Sequence, residues 1–349
     1  MGRRRLVSLA ILAALVLGLA GSAPAVPSRA GISGHRIHRG HRPSAPAPRG
    51  ESLEVPRPGA FSEDLGFGPT EISASAAILV DARTGNVLFA RNPDEPRAPA
   101  SVTKILTALV ILDHGRLAEV VQISRQAAQT GGHRLGLRAG QRLSLRDILA
   151  AILIRSANDA AVAAAEHVGG SLSGFVALMN AKAQAIGMTG SRFANPHGLD
   201  EPDHFTTARD MATLSRVALA DSTFAQLVRA REASVTVWKP VRRGLVPAIR
   251  PVYSHNRLLG RLPGADGVKT GYTDGAGRCL VASASRGNSR MIAVLLNDPR
   301  RWTDAAALLE YGFETARSAA RVLPGGQARA ASEAGWPRVA AQAGMEERP

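Results

Sequence analysis

The stretch PASVTKILTAL, residues 99–109, sets a serine and a lysine three apart at the head of an apolar run. On a helix that spacing puts Ser101 and Lys104 on one face. A serine hydroxyl is a weak nucleophile and needs an adjacent base. A neutral amine serves if burial and a second nearby cation lower its pKa. A helix N-terminus adds N–H groups where an oxyanion would form. One turn could thus carry nucleophile, base and part of an oxyanion hole. The competing reading is a helix cap with a solvated lysine. Composition weighs against it. Lys and Arg together number 43, yet only four are lysine: Lys104, Lys182, Lys239 and Lys269. Arginine cannot be deprotonated in a protein, whereas lysine can be tuned into a base.

Two further short motifs follow. Ser156-Ala157-Asn158 falls at a break between two predicted helices, where side chains are exposed to one site. Beside a Ser-Lys pair, Ser156 becomes a proton shuttle to a leaving amine, and Asn158 a partner for a substrate amide or for Lys104. Taken alone, either residue would simply cap the next helix. Lys269-Thr270-Gly271 sits in a strand edged by glycines. Gly271 leaves room for an extended substrate along that edge. Lys269 and Thr270 would hold a carboxylate, and Lys269 could also be the cation that tunes Lys104. The backbone N–H groups of Ser101 and Tyr272 are the candidate oxyanion donors. The weaker alternative for Lys269 is a hairpin turn with a solvated lysine.

S-x-x-K, S-x-N and K-T-G in this order form the serine penicillin-binding signature. The match extends to ILVDARTGNVLFARN, SANDAAVAAAEHVGGS, FVALMNAKAQAIGM, NPHGLD and GVKTGYTDGAGRCLVASA. Over residues 72–317 the chain resembles the low-molecular-mass penicillin-binding proteins, the D-alanyl-D-alanine carboxypeptidases of the S11 peptidase family. The resemblance implies Ser101 as acyl-ester nucleophile, Lys104 as proton acceptor, Ser156 as second catalytic serine and Lys269 as substrate binder. It implies an α+β, β-lactamase/transpeptidase-like αβα fold with a five-stranded antiparallel sheet flanked by helices. The expected substrate is the peptidoglycan stem pentapeptide, and β-lactam antibiotics are the expected inhibitors. No metal or organic cofactor is called for. A D,D-endopeptidase using the same residues is the nearest alternative, and a non-catalytic wall-binding module is the alternative outside enzymology.

Other chemistry-bearing residues read more plainly. His197, between Pro196 and Gly198, suits a tight loop, since lysine already fills the base role. Glu166 falls within a predicted helix and suits a surface or helix-stabilising place. Cys279 lies in a strand pattern and suits a small buried apolar position. As the single cysteine, it excludes an internal disulfide.

The elements that must position these groups follow from periodicity. Two strand-like runs flank Thr84-Gly85-Asn86, a hairpin signal. Helical spacing covers 101–114, 144–155, 159–169, 172–187, 207–221 and 301–317. Ser144 with Asp147 resembles a capping box. Residues 232–238, 277–286 and 289–297 read as strands. Strands, then helices, then strands and a last helix make an α+β chain with an antiparallel sheet.

The N-terminus reads as an export signal over 1–25: Arg3 to Arg5, an apolar stretch from Leu6 to Ala20, and Ala23-Pro24-Ala25 as cleavage site. An uncleaved anchor is the alternative. The expected location is the periplasm or another extracytoplasmic part of the cell envelope. Residues 26–71, rich in Pro, Gly, Ser, Arg and His, read as a disordered linker. His35, His38 and His41 within it suit a basic tract better than a metal site. Residues 318–349 read as a disordered tail, too short for the β-rich domain and amphipathic anchor of better-known members. The net charge of +15 lacks a compact basic footprint interleaved with aromatics, which are only 4% of the chain. That argues against nucleic acid and for weak association with an anionic wall or membrane.

Overall fold

The computed structural model describes residue 69 and residues 71–322. The expected export segment and most of the expected linker and tail lie outside the described residues. In chain order the elements are β1 (Ala76–Asp81), β2 (Val87–Arg91), a 3-10 turn (Ala100–Thr103), α1 (Lys104–His114), β3 (Val120–Gln122), α2 (Arg125–Gln129), β4 (Arg142–Ser144), α3 (Leu145–Leu153) and α4 (Asn158–Gly169). They continue with α5 (Leu172–Ala185), α6 (Ala208–Ala220), α7 (Ser222–Arg229), β5 (Glu232–Val241), β6 (Gly244–Tyr253), β7 (Ala265–Thr273), β8 (Gly277–Arg286), β9 (Ser289–Leu296) and α8 (Arg301–Val322).

The main sheet has five strands in the order β2-β1-β9-β8-β7, every neighbouring pair antiparallel. Its central strands are apolar on both sides, so they bury both faces. Ile78 and Val80 of β1, Val281 of β8, and Ile292 and Val294 of β9 face the larger helical layer. Leu79, Leu280, Met291, Ala293 and Leu295 face the other way, against α8 through Trp302, Ala305, Leu309 and Phe313. Helices on both faces make the αβα sandwich that the motifs imply. Helix α8 continues past residue 317, the expected end, because the next residues favour helix and the first breaker in the sequence is Pro324.

A second sheet, in the order β3-β4-β5-β6, has no counterpart in the sequence reading beyond β5. Strand β6, GLVPAIRPVY, carries Pro247 and Pro251 and is an edge, the place where proline is tolerated in a sheet. Ser144 caps α3: its hydroxyl accepts from the Asp147 N–H (3.1 Å) and donates to the Asp147 carboxylate (2.7 Å).

Helix α1 is apolar on nearly every side and is buried along Lys104 to Ile111. Such a helix belongs in the middle of a core. Lys104 stands at its first position, so the lysine is carried into the core by the helix it starts.

Candidate active site

Ser101 is not in the α-helix, as its spacing suggests, but in the 3-10 turn before it. The reason is local: Pro99 and Ala100, the latter at φ +49°, turn the chain tightly into α1. In 3-10 geometry residues three apart eclipse. Ser101 Oγ and Lys104 Nζ accordingly stand 2.8 Å apart. The serine therefore caps nothing, and its side chain is left for chemistry. Lys104 Nζ also donates to the His197 carbonyl at 2.6 Å. Its side chain is fully buried.

A second pair sits beside the first. Lys269 Nζ donates to Ser156 Oγ at 2.9 Å and to the Thr270 carbonyl at 2.9 Å. Ser156 holds φ +63°, at the break between α3 and α4, where the turn aims its hydroxyl at β7. Asn158 donates to the Gly131 carbonyl through its side chain (2.9 Å). Its Oδ1 is buried with no hydrogen-bond partner among the described residues. An orphaned buried acceptor of this kind suits an amide N–H brought by a ligand.

The electrostatics make two tuned amines. Burial first, then the charge of Lys269, pushes the Lys104 ammonium well below its ordinary range, with Asp159 opposing. Burial, then Arg301, pulls Lys269 down to about 7. The charge of Lys269 thus favours a neutral Lys104, the state a base needs.

Among the described residues strand β7 is the free edge of the main sheet, pairing only with β8. Its residue Gly271 lies against the serine turn. A Cβ there would meet Ala100 Cβ at 3.0 Å, Ser101 N at 3.1 Å and the Pro99 carbonyl at 3.2 Å. Thr270 is half-buried and the Tyr272 side chain exposed. The turn and the edge strand therefore meet at Ser101 N. Substitution Gly271→Ala should slow acylation by about tenfold, since small displacements of reacting groups are costly. Stopped-flow labelling with a fluorescent penicillin measures that rate. An unchanged rate would show that the close approach has no kinetic weight.

Several site residues carry no short motif. The His197 carbonyl, rather than its imidazole, holds Lys104; burial and Lys104 press the imidazole to about 3, so it is neutral. Asp159, fully buried, accepts the N–H groups of Leu135, Gly136 and Leu137, each at 2.9 Å, and so fixes the loop beside Asn158. The only hint in the sequence is an acidic residue in a helix first turn. Arg301 donates to the Gly271 carbonyl at 2.9 Å from the start of α8. Outside the Lys269 pair, His255 Nε2 lies 3.1 Å from Arg155 Nη1, and the His255 ring faces His133. Glu166 accepts from Ser124 and ties α4 to α2. Cys279 is buried, and burial pushes its thiol up to about 11.

The two amines predict a pH dependence. If Lys269 holds the substrate carboxylate it must be charged, so kcat/KM should fall as pH rises through about 7. A bound carboxylate favours the charged amine, so the corresponding limb of kcat should lie at higher pH. A kcat/KM profile flat over about pH 6 to 9 would refute this assignment.

A serine hydroxyl paired with a buried lysine, a second Ser-Lys pair and an open strand edge on an αβα scaffold define the class of serine acyl-transfer enzymes that react with penicillin. The peptidase S11 model, D-alanyl-D-alanine carboxypeptidase, matches residues 63–300, and the chain belongs to that family. The D-alanyl-D-alanine carboxypeptidase DacF of Bacillus subtilis is 37% identical over 266 residues, 73% of this chain and 67% of that protein. DacB2 of Mycobacterium tuberculosis is 34% identical over 248 residues, 69% of this chain and 82% of its own. Among solved structures, the Streptomyces K15 DD-transpeptidase superposes with a TM-score of 0.67 at 27% identity, covering 71% of this chain and 99% of that one.

Proposed function

We propose that the protein is a serine D-Ala-D-Ala carboxypeptidase that trims peptidoglycan stem pentapeptides. The observation that carries this is the 2.8 Å contact between Ser101 Oγ and a fully buried Lys104 Nζ. Neutral Lys104 takes the Ser101 proton as Oγ attacks the penultimate D-Ala carbonyl. The N–H groups of Ser101 and Tyr272 hold the oxyanion. Lys269 and Thr270 hold the terminal carboxylate, and Asn158 takes up the acyl-side amide. Ser156 passes its proton to the departing D-Ala amine as the C–N bond breaks and takes up the proton held by Lys104, which becomes neutral again. Water then attacks the acyl ester while Lys104 takes its proton, and Lys104 returns that proton to Ser101 Oγ as the shortened stem leaves. A β-lactam offers the same carbonyl and carboxylate, but its ring-opened acyl group is released slowly.

The test uses the wild-type protein. It should release D-Ala from a diacetylated Lys-D-Ala-D-Ala peptide, and fluorescent penicillin should label the peptide that contains Ser101. Absence of covalent label would sink the acyl-enzyme. Label without D-Ala release, together with cleavage of cross-linked dimers, would mark an endopeptidase instead. The basic and apolar N-terminus supports work outside the cytoplasmic membrane. Exported protein whose first residue is Val26 would establish it, and protein confined to the cytoplasm would refute it.

A further inference from the structure

The hairpin formed by β5 and β6 has one face with no partner among the described residues. Its register pairs Glu232 with Tyr253, Ser234 with Pro251, Thr236 with Ile249, Trp238 with Pro247, and Pro240 with Leu245. These pairs share one side of the sheet, because side chains alternate along a strand. The opposite side is the one that buries Val235, Val237 and Val252. Apart from Glu232, Ser234 and Thr236 the outward side is apolar and aromatic, yet open: Ile249 is 74% exposed and Tyr253 56%. A large exposed apolar patch marks an interaction surface.

The charge around it selects the occupant. The hairpin tip is Arg242-Arg243, both exposed. Arg142, the β4 partner of Trp238, lies on the same face. Glu232 is the one acidic residue of the hairpin, at the end away from the tip. Aromatic and aliphatic groups on one face beside guanidinium groups suit the boundary between lipid headgroups and acyl chains. A second copy of this chain fits less well. Pro247 and Pro251 remove donors from β6, the free strand edge, and two arginine tips would repel. We infer that the outward face of the β5–β6 hairpin docks on an anionic lipid surface.

The same hairpin also supports the active site. From its inner side, Arg250 donates to the Leu135 and Gly136 carbonyls at 3.0 and 3.3 Å. That loop is the one Asp159 fixes and whose Gly131 and His133 carbonyls accept from Asn158. The docking element and one wall of the site are thus one unit. The inference rests on the extracytoplasmic reading only for which membrane face is met; the vesicle assay is independent of carboxypeptidase activity.

A local probe tests it. Cys279 is buried, so Ile249→Cys in the full chain supplies one accessible thiol for the fluorophore NBD. Its emission should rise and shift blue with vesicles of phosphatidylglycerol and phosphatidylcholine, but not with phosphatidylcholine alone. Adding Arg242→Gln and Arg243→Gln should weaken binding by about thirtyfold. A label at Arg83→Cys, on the β1–β2 turn, should not respond. Penicillin labelling of each variant confirms that it is folded. No response at position 249 would overturn the inference, as would an equal response at position 83 or with neutral vesicles. A concentration-dependent response without vesicles would assign the face to a second copy instead.

Discussion

Lys104→Arg should lower the acylation rate by about 10²- to 10⁴-fold, the usual weight of a positioned general base. Arginine keeps the charge and much of the reach, but it cannot give up its proton in a protein. At a fully buried site beside Lys269 it would also hold a second cation that burial disfavours. Misfolding could then mimic a catalytic loss, so Lys104→Met is the companion variant. Methionine fills a similar volume without charge, leaving the His197 carbonyl and the part-buried Ser101 hydroxyl short of a donor. Its Tm should stay close to wild type while acylation is lost. Circular dichroism melting and fluorescent penicillin labelling read the two quantities separately. Acylation by a well-folded Lys104→Met variant would rule out the neutral amine as base.

That prediction rests on residues legible in the sequence, because their partners are three positions away. Ser101 with Lys104, Ser156 with Asn158, and Lys269 with Thr270 each declare themselves within a few residues. One contact behind them does not. The carbonyl that holds Lys104 comes from His197, far along the chain, and any residue can supply a carbonyl. The Pro and Gly around His197 show only that it shapes a tight loop, and its imidazole indeed accepts the Leu199 N–H of that loop. Fold legibility divides the same way. Strands β1, β8 and β9 are visible because they run apolar or alternate along their length. Strand β6 is not, because its prolines read as loop and its outward face is as apolar as its inward one. The 3-10 turn is hidden too, since periodicity alone extends α1 back to Ser101.

Gly198→Ala should cost the fold and the active site together, although residue 198 touches no substrate in the mechanism above. Its φ is +86°, where an alanine is strained. Space is the larger problem: an added Cβ would lie 1.8 Å from the Ala100 carbonyl oxygen and 2.4 Å from its carbon. Those are backbone atoms, so no side chain can swing aside. The oxygen is also fixed, because Thr103 Oγ1 donates to it at 2.8 Å. Thr103 is held in turn by His204. His204 Nδ1 accepts the Ala194 N–H (2.9 Å), so Nε2 carries the proton and donates to Thr103 Oγ1 at 2.8 Å. On the other side, Asn195 Oδ1 accepts the Gly198 N–H at 2.7 Å and holds the loop in place. Loop and turn cannot separate without moving Ser101 away from Lys104. A loss of about 3 kcal/mol or more is expected, in the range of strained-backbone and overpacking changes. For a domain of this size that lowers Tm by roughly 6–12 °C. Acylation should fall with it even below the melting range. His197→Ala, one residue away, should do little to either quantity, because it keeps the carbonyl that Lys104 uses. If His197→Ala were as inactive as Gly198→Ala, the imidazole would have a role that its neutral, loop-bound placement does not give it.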